Sequence, residues 1–183
     1  MKVVPTELPE VLIIEPEVHG DSRGFFYESF QARRYAEAGI TGTFVQDNLS
    51  RSVRGTLRGL HFQEPRGQGK LLQVLRGAVW DVAVDVRRGS PRFGRWVGLE
   101  LSESTPRQLW IPPGFAHGFC VLSDSADFFY KCTEVYAPEC ERSIAWNDPA
   151  IGIPWPVSEP LLSPKDRVAP PLSEAPVLPS YVG

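Results

Sequence analysis

Residues 70–86 read KLLQVLRGAVWDVAVDV and contain two apolar runs, Leu71 to Leu75 and Val79 to Val86, separated by an Arg-Gly turn signal. Short runs that are rich in Val and Leu between turn residues are typical of β-strands. Four further runs of this kind follow, bounded by Gly, Pro and Ser: Trp96 to Leu101, Gln108 to Ile111, Gly118 to Leu122 and Ala126 to Val135. Short strands at this spacing predict an antiparallel sandwich or barrel.

The segments on either side of these strands differ in character. Upstream, Val11 to Ile14 and Phe25 to Phe30 are predicted strands with a turn signal between them, and QARRYAEA (31–38) predicts a short helix that Gly39 ends. Downstream of Pro154 the chain is rich in proline, which predicts a strap laid over the barrel with a loose end. The sequence contains no internal repeat and no long linker, so we expect one domain over 1–183, with the strap from about residue 154.

The composition excludes several classes of protein. A chain of 183 residues with 42% hydrophobic content has enough apolar material for one well-buried core. Its 16 Gly and 18 Pro disfavour a helix bundle, and its ten Phe, five Trp and five Tyr disfavour a disordered chain. With 19 basic and 22 acidic residues the net charge is −3, so the composition gives no reason to expect nucleic-acid binding.

Cysteine usage and the start of the chain bear on location. Cys120, Cys132 and Cys140 are odd in number and form no CxxC pair, so they are interpreted as reduced thiols. The N-terminal segment lacks the basic start and long apolar run of a signal peptide, and no stretch reaches the length of a transmembrane helix. We therefore expect a cytoplasmic protein that does not bind membranes.

One short stretch concentrates positive charge. Between Arg51 and Arg76 there are six basic residues and a single acid, Glu64, although the protein as a whole is acidic. A solvated face is the usual interpretation of such a charge run. Guanidinium and ammonium groups clustered beside a histidine would equally suit a diphosphate. The composition alone leaves both interpretations open.

His61 lies in that stretch, within Leu60-His-Phe-Gln63, where strand alternation places Leu60 and Phe62 on the opposite face. Its position on the polar face is compatible with catalysis or with a structural hydrogen bond. Barrels that bind metal commonly carry two histidines one residue apart on a strand, and here the second position is Gln63. With only His19 and His117 elsewhere, we predict no metal.

Tyr130 and Asp166 are candidate site residues only if they lie close to His61. A tyrosine in an apolar strand, such as Tyr130, is more often a core residue than an acid, and a lone aspartate such as Asp166 is usually a turn or cap residue. If the C-terminal strap folds back over the barrel, Asp166 could orient His61 through its second ring nitrogen. Tyr130 could then stand across the ligand as a proton donor.

An ordered series of motifs between Val11 and Asp166 resembles the dTDP-4-dehydrorhamnose 3,5-epimerases. The motifs are Arg23-Gly-Phe-Phe-Tyr-Glu28, Gln46-Asp-Asn48, Arg58-Gly-Leu-His-Phe-Gln63, Lys70-Leu-Leu-Gln-Val74, Ile111-Pro-Pro-Gly-Phe-Ala-His117-Gly-Phe119, Tyr130-Lys131, Tyr136-Ala-Pro138, Trp146-Asn-Asp-Pro149 and Leu162-Ser-Pro-Lys-Asp166. The resemblance implies a mainly β, cupin-like jelly-roll barrel with a few short helices. It also implies a homodimer with shared active sites and no cofactor or metal.

The same resemblance implies a role for individual residues. His61 resembles the general base, Tyr130 the general acid and Asp166 the partner of His61. Ten further residues match positions that hold the nucleotide, the diphosphate or the sugar of a dTDP-sugar substrate: Arg23, Glu28, Gln46, Asp47, Asn48, Arg58, Lys70, His117, Glu141 and Lys165.

The implied reaction inverts carbons 3 and 5 of dTDP-4-dehydro-6-deoxy-D-glucose to give dTDP-4-dehydro-L-rhamnose, in dTDP-L-rhamnose biosynthesis. The ketone at carbon 4 acidifies both neighbouring C–H bonds, so a base and an acid on opposite faces suffice. Lys70 or Arg58 could stabilise the enolate oxygen. Three alternatives remain: an epimerase of one carbon in a secondary-metabolite pathway, a non-catalytic sugar-nucleotide binding cupin, and a metal-dependent cupin, which the missing HxH pair disfavours.

Overall fold

The computed structural model describes residues 1–182, and this part of the chain is mainly β. Its strands, numbered in chain order, are β1 (Lys2–Pro5), β2 (Leu12–Glu15), β3 (His19–Asp21), β4 (Gly24–Phe26), β5 (Gln46–Val53), β6 (Leu57–Gln63), β7 (Lys70–Arg76), β8 (Ala78–Asp85), β9 (Trp96–Ser102), β10 (Gln108–Ile111), β11 (Phe115–Val121), β12 (Ser125–Cys132) and β13 (Glu141–Ser143). Two short α-helices, α1 (Ala32–Glu37) and α2 (Pro164–Arg167), and 3-10 turns at Pro138–Cys140 and Leu172–Glu174 complete the elements.

Two antiparallel sheets face each other. The larger sheet has six strands in the order β1-β2-β10-β7-β12-β5, and the smaller has five in the order β13-β6-β11-β8-β9. Strands β3 and β4 form a separate hairpin. The mainly β, two-sheet architecture predicted from the strand spacing, and expected of a cupin-like jelly roll, is confirmed.

The central core lies between the two sheets and explains the long apolar runs. Leu72 and Phe128 enter it from the larger sheet, and Val79 and Phe119 enter it from the smaller one. Along β8, side chains alternate between this core and a second apolar cluster on the outer face of the smaller sheet. Because both faces of β8 are covered, its sequence is a nearly continuous apolar run.

Helix α1 covers the outer face of the larger sheet. Tyr35 packs there against Ile14, Leu71 and Trp110. Gln31 caps the helix by accepting a hydrogen bond from the Arg34 backbone N–H at 2.7 Å, and the chain leaves it through Gly39 at φ +86°. The predicted helix is confirmed, with a terminal residue at each end acting as a cap.

Part of the C-terminal segment lies on the outer face of the smaller sheet. Leu161 exchanges backbone hydrogen bonds with Gly55 and Leu57, and Leu172 and Trp155 pack into the outer apolar cluster. The expected loose end does not include residues 179–181, because this segment pairs with Arg88 through two backbone hydrogen bonds of 2.7 and 3.0 Å.

The chain differs from the predicted strands mainly at strand ends and sheet edges. Strand β11 begins at Phe115 instead of Gly118, because the Pro-Pro-Gly turn ends at Gly114 with φ +92°. Strand β12 ends at Cys132, three residues before the predicted Val135. The predicted strand at Phe25 to Phe30 is instead the short β4. No helix within residues 1–182 is long and apolar enough to cross a membrane.

A close approach between β6 and β11 positions the site. A Cβ atom on Gly59 would lie 2.5 Å from the Gly118 Cα and 2.6 Å from the His117 carbonyl oxygen, so neither backbone could come so near with a side chain there. Gly59 also has φ +121°, a region that favours glycine. This contact lets His61 on β6 pair directly with His117 on β11.

Candidate active site

A cavity of about 380 Å³ opens between the two sheets. Strands β5, β7 and β12 of the larger sheet supply one wall, β6, β11 and β13 of the smaller sheet supply the other, and the segment around α2 closes one side. Ten of the predicted site residues line this cavity: Gln46, Asn48, Arg58, His61, Lys70, His117, Tyr130, Glu141, Lys165 and Asp166.

His61 and Asp166, which are 105 positions apart in sequence, form a hydrogen-bonded pair. The His61 Nε2 atom lies 2.5 Å from Asp166 Oδ1, and the Ser163 hydroxyl donates to Asp166 Oδ2 at 2.8 Å. Burial acts to raise the pKa of Asp166, but the hydrogen bonds and charge of His61 outweigh it and hold this pKa below its usual value. Asp166 is therefore an ionised, buried partner for the imidazole.

Tyr130 lies on the opposite wall. It projects from the inner face of β12, on the larger sheet, whereas His61 belongs to the smaller sheet. Burial raises the pKa of the Tyr130 phenol above its ordinary value, although the charge of Arg58 partly opposes this. The hydroxyl is consequently protonated at neutral pH.

The side chain of Lys70 places an ammonium group at the cavity wall. Within residues 1–182 its ammonium has no hydrogen-bonding or ion-pair partner, and burial lowers its pKa. Arg58 is more exposed, and its Nε donates to the Ser52 hydroxyl at 3.0 Å. Both side chains are placed to meet an anionic group of a ligand.

A second carboxylate–imidazole pair lies deeper in the same site. His117 Nε2 is 2.9 Å from Asp81 Oδ2, and Asp81 is completely buried on β8. His117 was predicted as a site residue from the sequence, whereas Asp81 was not. The available signal was an acidic residue within the otherwise apolar run of β8.

A hydrogen-bonded cluster lies at another part of the cavity wall. Glu141 accepts from Lys165 Nζ at 2.6 Å and from the Tyr136 hydroxyl at 3.2 Å. Gln46 accepts from the Tyr136 backbone N–H at 2.8 Å and donates to Asn48 Oδ1 at 2.9 Å. These contacts hold two amide side chains, a carboxylate and an ammonium in fixed positions around the ligand space.

Three predicted binding residues lie outside this cavity in the single chain. Arg23 pairs with Asp21 in the exposed β3–β4 hairpin, Glu28 pairs with Arg34, and Asp47 faces outward from β5. Asp47 is bound there by the Lys131 ammonium at 2.8 Å. Their part in binding stays a prediction, and for Arg23 and Glu28 it depends on a second subunit.

Other cavity residues were not identified as candidates. They are Ser50, Phe62, Gln63, Gln68, Phe119, Tyr136 and Ser163. Gln63, Phe62, Phe119, Tyr136 and Ser163 lie inside or beside the quoted motifs, whereas Ser50 and Gln68 carry no signal beyond proximity to them.

Among residues 1–182, no group of three or more His, Cys, Asp or Glu side chains is arranged to hold a metal ion. The three cysteines are buried and form no disulfide bond with one another. The cytoplasmic location inferred from them stays a prediction.

The chain is similar to known sugar-nucleotide epimerases over most of its length. Residues 5–174 match the family model described as dTDP-4-dehydrorhamnose 3,5-epimerase. The dTDP-4-dehydrorhamnose 3,5-epimerase of Shigella flexneri is 58% identical over 91% of this chain and 93% of its own length. The dTDP-4-dehydrorhamnose 3-epimerase of Streptomyces niveus is 42% identical over 99% of this chain and 90% of its own length.

Among solved structures, a dTDP-6-deoxy-D-glucose-3,5-epimerase from Legionella pneumophila, in complex with dTDP-4-keto-L-rhamnose, superimposes with a TM-score of 0.97. It is 56% identical, and the match covers 100% of this chain and 99% of that one. A chain that shares its fold, nearly its whole length and more than half its residues with such enzymes belongs to the dTDP-4-dehydrorhamnose 3,5-epimerase family and is an enzyme of it.

Proposed function

We propose that this enzyme inverts carbons 3 and 5 of dTDP-4-dehydro-6-deoxy-D-glucose, giving dTDP-4-dehydro-L-rhamnose for dTDP-L-rhamnose biosynthesis. The observation that carries the proposal is the His61–Asp166 pair on one wall of the cavity with Tyr130 on the other. Inversion at a carbon beside a ketone needs proton removal on one face and proton delivery on the other. Two groups from opposing sheets meet that requirement.

His61 is the base in this proposal. A carboxylate only accepts hydrogen bonds, so Asp166 fixes the proton of His61 on Nε2 and leaves Nδ1 as the basic nitrogen. Removal of the carbon-3 or carbon-5 proton by Nδ1 gives an imidazolium, which the ionised Asp166 stabilises. The electrons of the broken C–H bond move to the carbon-4 oxygen as an enolate.

Tyr130 then returns a proton from the opposite face. Its O–H bond breaks as the new C–H bond forms, and the enolate collapses to the ketone with the carbon inverted. The tyrosinate regains a proton from solvent and His61 loses one, so the enzyme ends in its starting state. The unpartnered Lys70 ammonium is the better placed of the two candidate groups to stabilise the enolate, because Arg58 is exposed and bound to Ser52.

Other cavity residues are suited to bind the diphosphate and nucleoside of the substrate, which do not react. Arg58 and Lys165 add positive charge along the cavity wall, which suits a diphosphate. The amides of Gln46 and Asn48 offer donors and acceptors for the nucleoside or the sugar. Of the six basic residues in the stretch, Arg58 and Lys70 line the cavity and support the diphosphate interpretation. Most of the others fit a solvated face, because they form ion pairs with acidic residues outside the cavity.

Inversion of a single carbon is the second candidate. The Streptomyces niveus relative is named a 3-epimerase, although its 42% identity is lower than the 58% of the Shigella flexneri double epimerase. Both reactions use one base and one acid. A non-catalytic binding role is disfavoured because His61, Asp166 and Tyr130 are all present in the cavity.

Deuterium incorporation separates these candidates. We expect the purified enzyme, incubated in D₂O with dTDP-4-dehydro-6-deoxy-D-glucose, to give a product that carries deuterium at carbons 3 and 5. NMR of the product counts the label at each carbon. Label and inversion at carbon 3 alone would identify a 3-epimerase, and unchanged substrate would leave only a binding function.

We also propose that the enzyme is a homodimer. Residues 22–28, called the arm below, would extend from one subunit and complete the active site of the other. Strand β5 lies at the edge of the larger sheet with one side unpaired, and Gln46, Asn48 and Ser50 of that strand line the cavity. An arm added along this edge would reach the cavity. The arm exposes Phe25 and Phe26 by 68% and 70%, surface that a partner would cover.

Subunit mixing tests the shared site. Arg23→Ala and His61→Ala are each expected to inactivate their own homodimers, whereas a heterodimer regains one site with both native residues. Mixing after partial unfolding and refolding should therefore restore up to about a quarter of wild-type activity, since half the subunits pair with the other type and each such dimer has one intact site. No recovery from a confirmed heterodimer would show that each site is built from a single chain.

A further inference from the structure

Asp81 lies where an acidic residue is unexpected. Its neighbours on the same face of β8, Val79 and Ala83, belong to the apolar core between the sheets, and Asp81 itself is 0% exposed. Placing a carboxylate in such a row costs free energy unless the group is paired. The reason for this residue must therefore lie in what it contacts.

Its contact is His117, through Oδ2 and Nε2 at 2.9 Å. The other carboxylate oxygen, Oδ1, is buried and has no hydrogen-bond partner within residues 1–182. The His117 ring is also held by stacking on Phe128, with centroids 5.9 Å apart and planes 16° apart. The imidazole is thus fixed in position at the cavity wall, directly across the β6–β11 pair from His61.

We propose that Asp81 is a positioning residue that fixes His117 as the Nε2–H tautomer, so that its Nδ1 accepts a hydrogen bond from a hydroxyl of the bound sugar. The carboxylate can only accept, so the shared proton must belong to Nε2. Nδ1 has no partner within residues 1–182 and is left for the ligand. The role for the sugar rests on the proposed function, whereas the tautomer does not.

NMR of histidine ring nitrogens tests the tautomer in the intact enzyme. The chain has three histidines, so a His117→Gln variant assigns the His117 signals by their loss. We expect Nε2 of His117 to carry the proton in the wild type. In Asp81→Asn the side-chain amide can donate to Nε2, so the proton should move to Nδ1, as the same substitution does in the Ser-His-Asp triad.

Kinetics test whether Asp81 acts through His117. We expect Asp81→Asn to lower kcat/KM by about 10-fold or more in the wild-type background, and by less than about 2-fold in the His117→Gln background, because residues that act as one unit are not additive. Asp148→Asn is the matched control: Asp148 is 5% exposed, binds backbone N–H groups of Ala150 and Leu172, and lies outside the cavity. It should lower thermal stability without changing kcat/KM.

Two results would overturn the proposal. One is an unprotonated Nε2 on His117 in the wild type, which needs no variant and decides the matter even if Asp81→Asn does not fold. The other is an equal loss of kcat/KM from Asp81→Asn with and without His117. If the wild type does not epimerise the keto sugar, the proposed function fails, and the tautomers of wild type and Asp81→Asn still decide the Asp81–His117 relation.

Discussion

The variant His61→Asn is expected to fold normally and to lose at least about 10²-fold in kcat, the lower end of what a general base contributes. The amide fills most of the imidazole volume and can still contact Asp166, but it cannot take a proton from carbon. Deuterium exchange into the substrate should fall by the same factor as product formation, because in the proposed mechanism both begin with proton removal by this residue. Thermal melting and calorimetric binding of dTDP serve as controls for folding and for the nucleotide site.

The variant Asp166→Asn tests what the carboxylate contributes to the function of His61. In the proposed mechanism the Asp166 carboxylate stabilises the imidazolium, and asparagine lacks that charge. The asparagine amide can also reverse the tautomer of His61. We therefore expect a loss that is large but not additive with that of His61→Asn. Turnover close to that of the wild type in His61→Asn would remove this histidine from the mechanism and with it the interpretation of the pair.

The sequence predicted the interior of the fold better than its edges. Strand β8 is apolar on both faces because both are covered, so its pattern identifies it as a strand. Strand β5, QDNLSRSV, has one face in the cavity and one exposed, so it contains few apolar residues and no local pattern to identify it. The position of residues 179–181 could not be predicted, because two backbone hydrogen bonds to Arg88 hold them and backbone hydrogen bonds leave no side-chain signal in the sequence.

The residues of the candidate site were also predicted only in part. His61 and Asp166 could be connected only on the condition that the C-terminal strap folds back, since a contact between residues 105 positions apart leaves no local pattern. The strap does so because Leu172 and Trp155 cover the outer face of the smaller sheet and Ser163 caps α2. Asp81 was missed because its residue type alone does not reveal that it contacts His117 on the neighbouring strand β11.

Tyr130→Phe is expected to uncouple proton exchange from inversion. The substitution deletes the hydroxyl and keeps the ring, and within residues 1–182 the structure shows no hydrogen bond from this hydroxyl, so little packing is lost. His61 remains able to remove the substrate proton and to return a solvent-derived one to the same face. The variant should therefore incorporate deuterium with retained configuration and form little inverted product, at least about 10²-fold less than the wild type.

The measurement is NMR of substrate and product in D₂O, with label and configuration scored separately at carbons 3 and 5. His61→Asn is the matched comparison, because it should lose exchange and inversion together. If Tyr130→Phe also abolishes both equally in a folded protein that still binds dTDP, the hydroxyl acts in substrate placement or enolate formation. In that case the replacement proton must come from another group on the opposite wall, and Lys70, whose pKa is lowered by burial, becomes the first candidate to test.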